Sequence, residues 1–197
     1  GSFVFRNAYS SASWTLPSMS SLLTGLFPSV HLTTKPASRL PGKLTTLPEY
    51  LGEAGYLTGA IGDNSLLRRR SNLAQGFQEY DFYPKRTSSD FGSNLLSTYS
   101  DVIGRRYALR PSTEDLTALA QQWIERHEDR DFFLWLHYFD PHLPYSPPER
   151  FRQDKGEWGL EHLRAVRVGY RIVPPKERKR VRGLYQSEVL YVDEQIA

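Results

Sequence analysis

Three short stretches of this chain carry residue types that could do chemistry. The first is Ser13-Trp14-Thr15-Leu16-Pro17-Ser18-Met19-Ser20-Ser21-Leu22-Leu23-Thr24-Gly25-Leu26-Phe27-Pro28. Its pattern predicts a loop turning into a short helix: Pro17 suits a first helical turn, and Gly25 and Pro28 close the element. Thr15 then sits just ahead of an open helix N-terminus, where unpaired N–H groups and the positive end of the dipole favour an anion. A hydroxyl beside such a site is a nucleophile for a sulfate or phosphate ester. The alternative is that Thr15 is a helix cap and Ser18 to Ser21 are small packing residues. The second stretch is His137-Tyr138-Phe139-Asp140-Pro141-His142. There His142 could protonate a leaving oxygen or hold a charged ester oxygen, and Asp140 could orient an imidazole or bind a cation. The alternative is a turn begun by Asp140-Pro141, with His137 a buried strand-end residue. The third is Asp63-Asn64, where Asn64 offers an amide but no charge.

These stretches need a scaffold, and the surrounding sequence has an α/β pattern. Thr46-Leu47-Pro48-Glu49 is a helix start with Glu49 three residues after a Thr cap. That helix runs to Ala54 and stops at Gly55, and Tyr56 to Ile61 follows as a buried strand, so Asp63 and Asn64 fall at a strand's carboxyl end. Ligand sites of α/β sheets gather there. Ser112 to Glu128 is a helix capped by Ser112, with Leu116, Leu119, Ala120, Trp123, Ile124 and His127 on one stripe. The run Phe132-Phe133-Leu134-Trp135-Leu136 lacks alternation and predicts a strand buried on both faces of a parallel sheet. A strand near residues 3–6 should share the sheet with 56–61 and 132–137. Gly76 to Phe82 is a further short extended piece, residues 29–45 an irregular excursion, 84–111 a loop, and Leu143 to Pro148 a proline-rich loop. A last helix, Pro174 to Ile196, carries Val181, Leu184, Tyr185, Val189, Val192 and Ile196 along one side.

The first stretch resembles the nucleophile motif of the sulfatases, within the alkaline-phosphatase superfamily. Pro17, Ser18, Leu22, Leu23, Thr24, Gly25 and Pro28 match it. Thr15 stands where the family has Cys or Ser, and Met19 where it has Arg. Asp140-Pro141-His142 with Pro144-Tyr145 resembles the family's strand-end segment, whose His contacts the ester near the leaving group. Leu51 to Gly59 and Leu184 to Ile196 are further matches, so the resemblance covers nearly the whole chain in order. It implies a three-layer α/β/α sandwich with a mostly parallel sheet, incomplete in this chain. It also implies that residues 1–197 are one partial domain lacking its start and its C-terminal part. Thr15 and His142 take the catalytic roles, with Asn64, His137, Asp140 and Ser18 against the substrate. A divalent ion, calcium or manganese or zinc, is implied, with Thr15 its contact here and its other ligands outside this chain. Where many sulfatases have Gly-Lys-Trp-His, this chain has Gly62-Asp63-Asn64-Ser65.

The departure at Thr15 changes the expected chemistry. Sulfatases oxidise Cys or Ser to formylglycine. The methyl on the Thr β-carbon would give a ketone instead, so no formylglycine is expected. A Thr nucleophile resembles that of the phosphoethanolamine and glycerol-phosphate transferases. Three readings follow: a metal-dependent hydrolase of sulfate or phosphate esters with a Thr nucleophile, a phosphotransferase, or a non-catalytic domain that binds an anion or glycan. The substrate would be a small-molecule, glycan or lipid-headgroup ester.

Composition narrows this further. Net charge is +3, too small to argue for nucleic acid by itself, and there is no cysteine for a disulfide or thiolate metal site. No apolar run is long enough to span a bilayer. The family is often extracytoplasmic or membrane-anchored; the sequence itself fixes no compartment. Arg68-Arg69-Arg70 reads as a surface turn and Lys176 to Arg182 as a solvated helix face, with contact to a polyanion or lipid headgroup the alternative for both.

Overall fold

The computed structural model describes residues 3, 5–83, 111–152 and 172–197. The chain splits into two compact units, Gly1–Arg110 with Gln122–His137 and Pro111–Gln121 with Tyr138–Ala197. The expected loop at 84–111 lies, apart from its last residue, outside the described residues.

The first unit is built on three parallel strands: β1 (Leu57–Asp63), β2 (Glu79–Tyr83) and β3 (Phe132–His137), in the order β2-β1-β3. Every residue of β1 is buried, as a central strand requires. The connection from β1 to β2 is parallel, yet it crosses over through two short 3-10 turns, Ser65–Leu67 and Arg69–Ser71, and not through an α-helix. The strand expected from Phe132 to Leu136 forms and is parallel, but each of its residues is only half-buried. The reason is its position: β3 is an edge strand among the described residues. The strand expected near residues 3–6 does not form among them. Phe3 and Phe5 are 94% and 81% exposed and pair with none of the three strands. The extended piece ending at Phe82 takes its place in the sheet, as β2.

Three helices precede or flank β1: α1 (Thr15–Thr24), α2 (Pro28–His31) and α3 (Leu47–Glu53). Within the stretch read as an irregular excursion, residues 29–31 belong to α2. The α3 start is the expected capping box, with the Thr46 N–H donating to Glu49 Oε2 at 2.7 Å. Leu16 and Leu23 of α1 enter one apolar cluster with Leu40, Leu67, Leu73, Phe77, Tyr80 and Phe82. Such spacing, seven residues apart on one helix, is what presses α1 onto the connection between β1 and β2.

Helix α4 (Thr113–Arg126) begins in the second unit and ends in the first. Its cap is reciprocal: the Ser112 N–H donates to Asp115 Oδ2 at 2.8 Å, and the Asp115 N–H to Ser112 Oγ at 3.1 Å. Leu116, Ala120 and Trp123 are buried, as their spacing predicts. His127 falls just past the helix and pairs with Glu79 at 3.2 Å. The long helix α5 (Pro175–Ile196) corrects a second expectation. Its buried face is Gly183, Leu184, Ser187, Glu188 and Tyr191, while Tyr185, Val189 and Ile196 of the expected stripe are exposed. The contacts explain the shift: the Phe151 ring packs at a tilt against Tyr191 and the Ser146 N–H donates to Glu188, so polar residues lie inward where a loop needs partners.

Candidate active site

Thr15 is the first residue of α1, one position later than expected. The cap position is Trp14, which is extended (φ −152°, ψ 165°) and gives the helix no side-chain cap. Thr15 is therefore not a capping residue. Its hydroxyl stands in the first turn, where amide N–H groups have no partner within the helix. The far end closes as the sequence predicts. Gly25 takes φ +69° and its N–H donates to Ser21 O at 2.8 Å, a left-handed cap that a residue with a Cβ adopts only with strain. Ser18 exchanges a hydrogen bond of 2.7 Å with Ser10 and lines a groove of about 300 Å³ with Tyr9, Met19, Leu22 and Phe27.

Sequence reading missed the residue that fixes α1 from behind. His31 is fully buried. Its Nδ1 accepts from the Thr33 N–H at 3.0 Å, which puts the proton of the neutral ring on Nε2, 3.0 Å from Ser21 Oγ. Burial lowers its pKa from the usual histidine value and keeps it neutral. The ring ties α2 to the middle of α1. Nothing in the sequence marks it, because Ser21 and His31 are ten residues apart with a helix end between them.

α1 packs against the Ser65–Leu67 turn, which begins right after the carboxyl end of β1. Asn64 sits at that junction, buried, with its Oδ1 accepting the Leu66 N–H at 2.9 Å. That leaves the Nδ2 amide, a donor only, to meet a ligand. His137 ends β3 and is in register with Gly62 of β1. A Cβ on Gly62 would lie 2.8 Å from the His137 Cβ, so glycine is what lets the two strand ends approach. The His137 ring packs on Phe82 and Trp135, and burial depresses its pKa to about 4. It is a neutral imidazole at physiological pH. Within the first unit, the fold thus gathers α1, Asn64 and His137 toward the carboxyl end of one sheet.

Asp140 and His142 belong to the second unit. Asp140 Oδ2 accepts from Thr113 Oγ1 at 2.6 Å, and Tyr138 Oη lies 2.8 Å from Thr117 Oγ1, so the loop after β3 is pinned to the first turns of α4. His142 Nδ1 lies 2.7 Å from Leu143 O. A carbonyl only accepts, so Nδ1 carries a proton and Nε2 is the atom left for chemistry. The ring is held against Phe139. Downstream, the Ser146 N–H donates to Glu188 Oε1 at 2.7 Å. Glu188 is 2% exposed, and burial pushes its pKa up to about 8, against the pull of that N–H and with the nearby Asp140 carboxylate adding to the rise. Glu188 is a second residue the sequence did not single out.

The divalent ion implied by the resemblance has no evident home among the described residues. No group of three or more His, Cys, Asp and Glu is arranged there to hold a metal. Thr15 alone does not make a cation site, so the described residues by themselves do not fit the ion.

Comparison with known proteins decides the family. The sulfatase family model matches residues 1–197. The chain belongs to the sulfatase family. Human N-sulphoglucosamine sulphohydrolase is 26% identical over 155 residues, covering 75% of this chain and 26% of that protein. Among solved structures, one determined in complex with its substrate D-glucosamine-2-N,6-O-disulfate superposes with a TM-score of 0.60 at 18% identity, covering 97% of this chain and 52% of the other. The phosphonate monoester hydrolase of Agrobacterium radiobacter gives 0.61 at 15% identity, with 94% and 49% covered. The chain thus spans about a quarter of the curated relative and about half of these two structures. The sheet and helices are those of an incomplete alkaline-phosphatase-like α/β sandwich.

Proposed function

We propose that this chain supplies the nucleophile and a leaving-group imidazole for cleavage of a sulfate or phosphate ester on a glycan. The observation that carries the reading is the start of α1: a helix end with no side-chain cap, and a threonine hydroxyl in its first turn. An ester anion at that end meets open N–H groups and the positive end of the helix dipole. Thr15 Oγ1 attacks the sulfur or phosphorus and loses its proton to solvent. The bond to the ester oxygen breaks, and that oxygen takes a proton from His142 Nε2, which has first taken one from solvent while Nδ1 keeps its own. Water then cleaves the threonyl ester and restores the hydroxyl. Asn64 Nδ2 donates to an ester oxygen. His137, neutral and packed among rings, binds and does not act as a base. Asp140 holds the loop that carries His142. The similarity to N-sulphoglucosamine sulphohydrolase supports an amino sugar as the group that carries the ester.

Threonine cannot form the formylglycine aldehyde, and this sets the preference between esters. Phosphate esters should turn over faster than sulfate esters. The test is an assay of the full-length protein on aryl phosphate mono- and diesters beside aryl sulfates, with divalent ions added and with chelator. Faster phosphate release supports the reading. Robust sulfate release with inert phosphate esters overturns the chemical argument. Product carrying the phosphoryl group on an added alcohol would favour the transferase, which uses the same nucleophile.

A further inference from the structure

Arg68-Arg69-Arg70 has no role in the ester chemistry, yet it does not stand alone. Residues 29–48 contain Lys35, Arg39 and Lys43 and no acid; residues 65–78 contain the three arginines and no acid. The fold brings these two segments together. The Leu40 N–H donates to Ser71 O at 2.8 Å, Asn72 Nδ2 to Leu40 O at 2.9 Å, and Gln75 Nε2 to Leu44 O at 2.8 Å. Between them lies a cleft of about 450 Å³ lined by Pro36, Ser38, Arg39, Leu66, Arg70 and Ser71. That volume falls within the range of small-ligand clefts, about 300–1,000 Å³. No carboxylate among the described residues lines it.

The three arginines are not equivalent. Arg69 is engaged by Tyr80, with its guanidinium 5.6 Å over the ring and Nη2 3.4 Å from the Tyr80 carbonyl. Arg70 is exposed and lines the cleft; its contact to Ser65 O is long, at 3.4 Å. Arg39 is exposed on the facing segment. The cleft adjoins the elements of the candidate active site: Leu66, one of its walls, lies in the turn against which α1 packs, and its N–H donates to Asn64 Oδ1.

We propose that the cleft between residues 36–39 and 66–71 binds a second anionic group, sulfate or carboxylate, of a glycan chain whose ester lies at Thr15, with Arg39 and Arg70 as its cations. This rests on the ester-cleaving reading above and adds that the substrate is a polyanionic oligosaccharide and not a singly charged sugar. Guanidinium pairs hold sulfate and carboxylate through two parallel N–H bonds, which suits a planar cation on each wall.

The experiment measures binding of a heparin-derived, fully sulfated tetrasaccharide to the full-length protein by titration calorimetry, with kinetics on an aryl ester in parallel. Arg39→Glu with Arg70→Glu should weaken tetrasaccharide binding about tenfold or more and flatten its salt dependence. Arg39→Lys with Arg70→Lys should fall between the two. kcat/KM on the aryl ester, which lacks the second anion, should not change, and an unchanged melting temperature shows that the variants fold. If the protein turns over no ester yet binds the tetrasaccharide through these arginines, the ester reading fails and the cleft stands. Undiminished binding in the folded Glu variant overturns the proposal. So does an absence of tetrasaccharide binding, or equal binding of a single-stranded DNA of matched charge.

Discussion

The two regions that carry the candidate catalytic residues are held in place by different forces. Around Thr15 the anchors are mainly apolar and backbone-based, Leu16 and Leu23 in the core and a left-handed Gly25 cap, with one polar side chain, the buried His31, bridging Ser21 and Thr33. Around His142 they are mostly polar side chains: Thr113 on Asp140, Tyr138 on Thr117, Glu188 on the Ser146 N–H, and Arg150 on Glu194. A nucleophile has to be placed to within tenths of an ångström, and close packing gives that. An acid on a loop needs its orientation fixed, and hydrogen bonds do that at a modest net gain of about 0.5–1.5 kcal/mol each. The first region should therefore be sensitive to volume and the second to protonation.

The largest effect tests the apolar half. Leu16→Ala removes a fully buried side chain from the cluster under α1, and the full-length protein should lose about 2–5 kcal/mol in denaturant unfolding. A loss below about 1 kcal/mol would mean that packing is not what fixes α1. The smaller effect tests the polar half. The Glu188 pKa is raised in the folded state, so its contribution to stability is full below the ordinary carboxylate range and is lost as pH rises toward about 8. The facing groups are the Ser146 N–H, which pulls the other way, and Asp140, which adds to the rise. Glu188→Gln keeps an oxygen for Ser146 and removes the titration. Its melting temperature should match that of the parent near pH 5 and exceed it near pH 8. Parallel pH profiles for the two proteins would show that the carboxyl is not the pH-sensitive anchor.

How far this contrast was legible in the sequence follows from the same physics. Local signals carried well: the Thr46–Glu49 box, the Ser112 cap, Gly25 as a helix end, and the parallel strands at 57–63 and 132–137 all rest on spacing within a few residues. What the sequence did not yield depends on distant partners. Phe3 and Phe5 alternate like a strand, but none of the three strands pairs with them. The α5 stripe was misplaced because Glu188 is polar by type and buried by contact with a loop some forty residues away. His31 escaped for a similar reason, since its partner lies across a helix end. Thr15 was placed one residue out because Trp14, with no capping side chain, is not a cap that type preferences predict.

The central claim is that Thr15 becomes esterified during turnover. The direct measurement is to quench the full-length protein while it turns over an aryl phosphate, digest it, and map the modified residue by mass spectrometry. The account predicts a phosphoryl group on the peptide spanning Thr15. In Thr15→Ala it should be absent and turnover should be lost, although the fold should persist because the hydroxyl caps nothing. A Thr15→Ala protein that turns over at the parental rate, or a modified residue elsewhere in the chain, would contradict it.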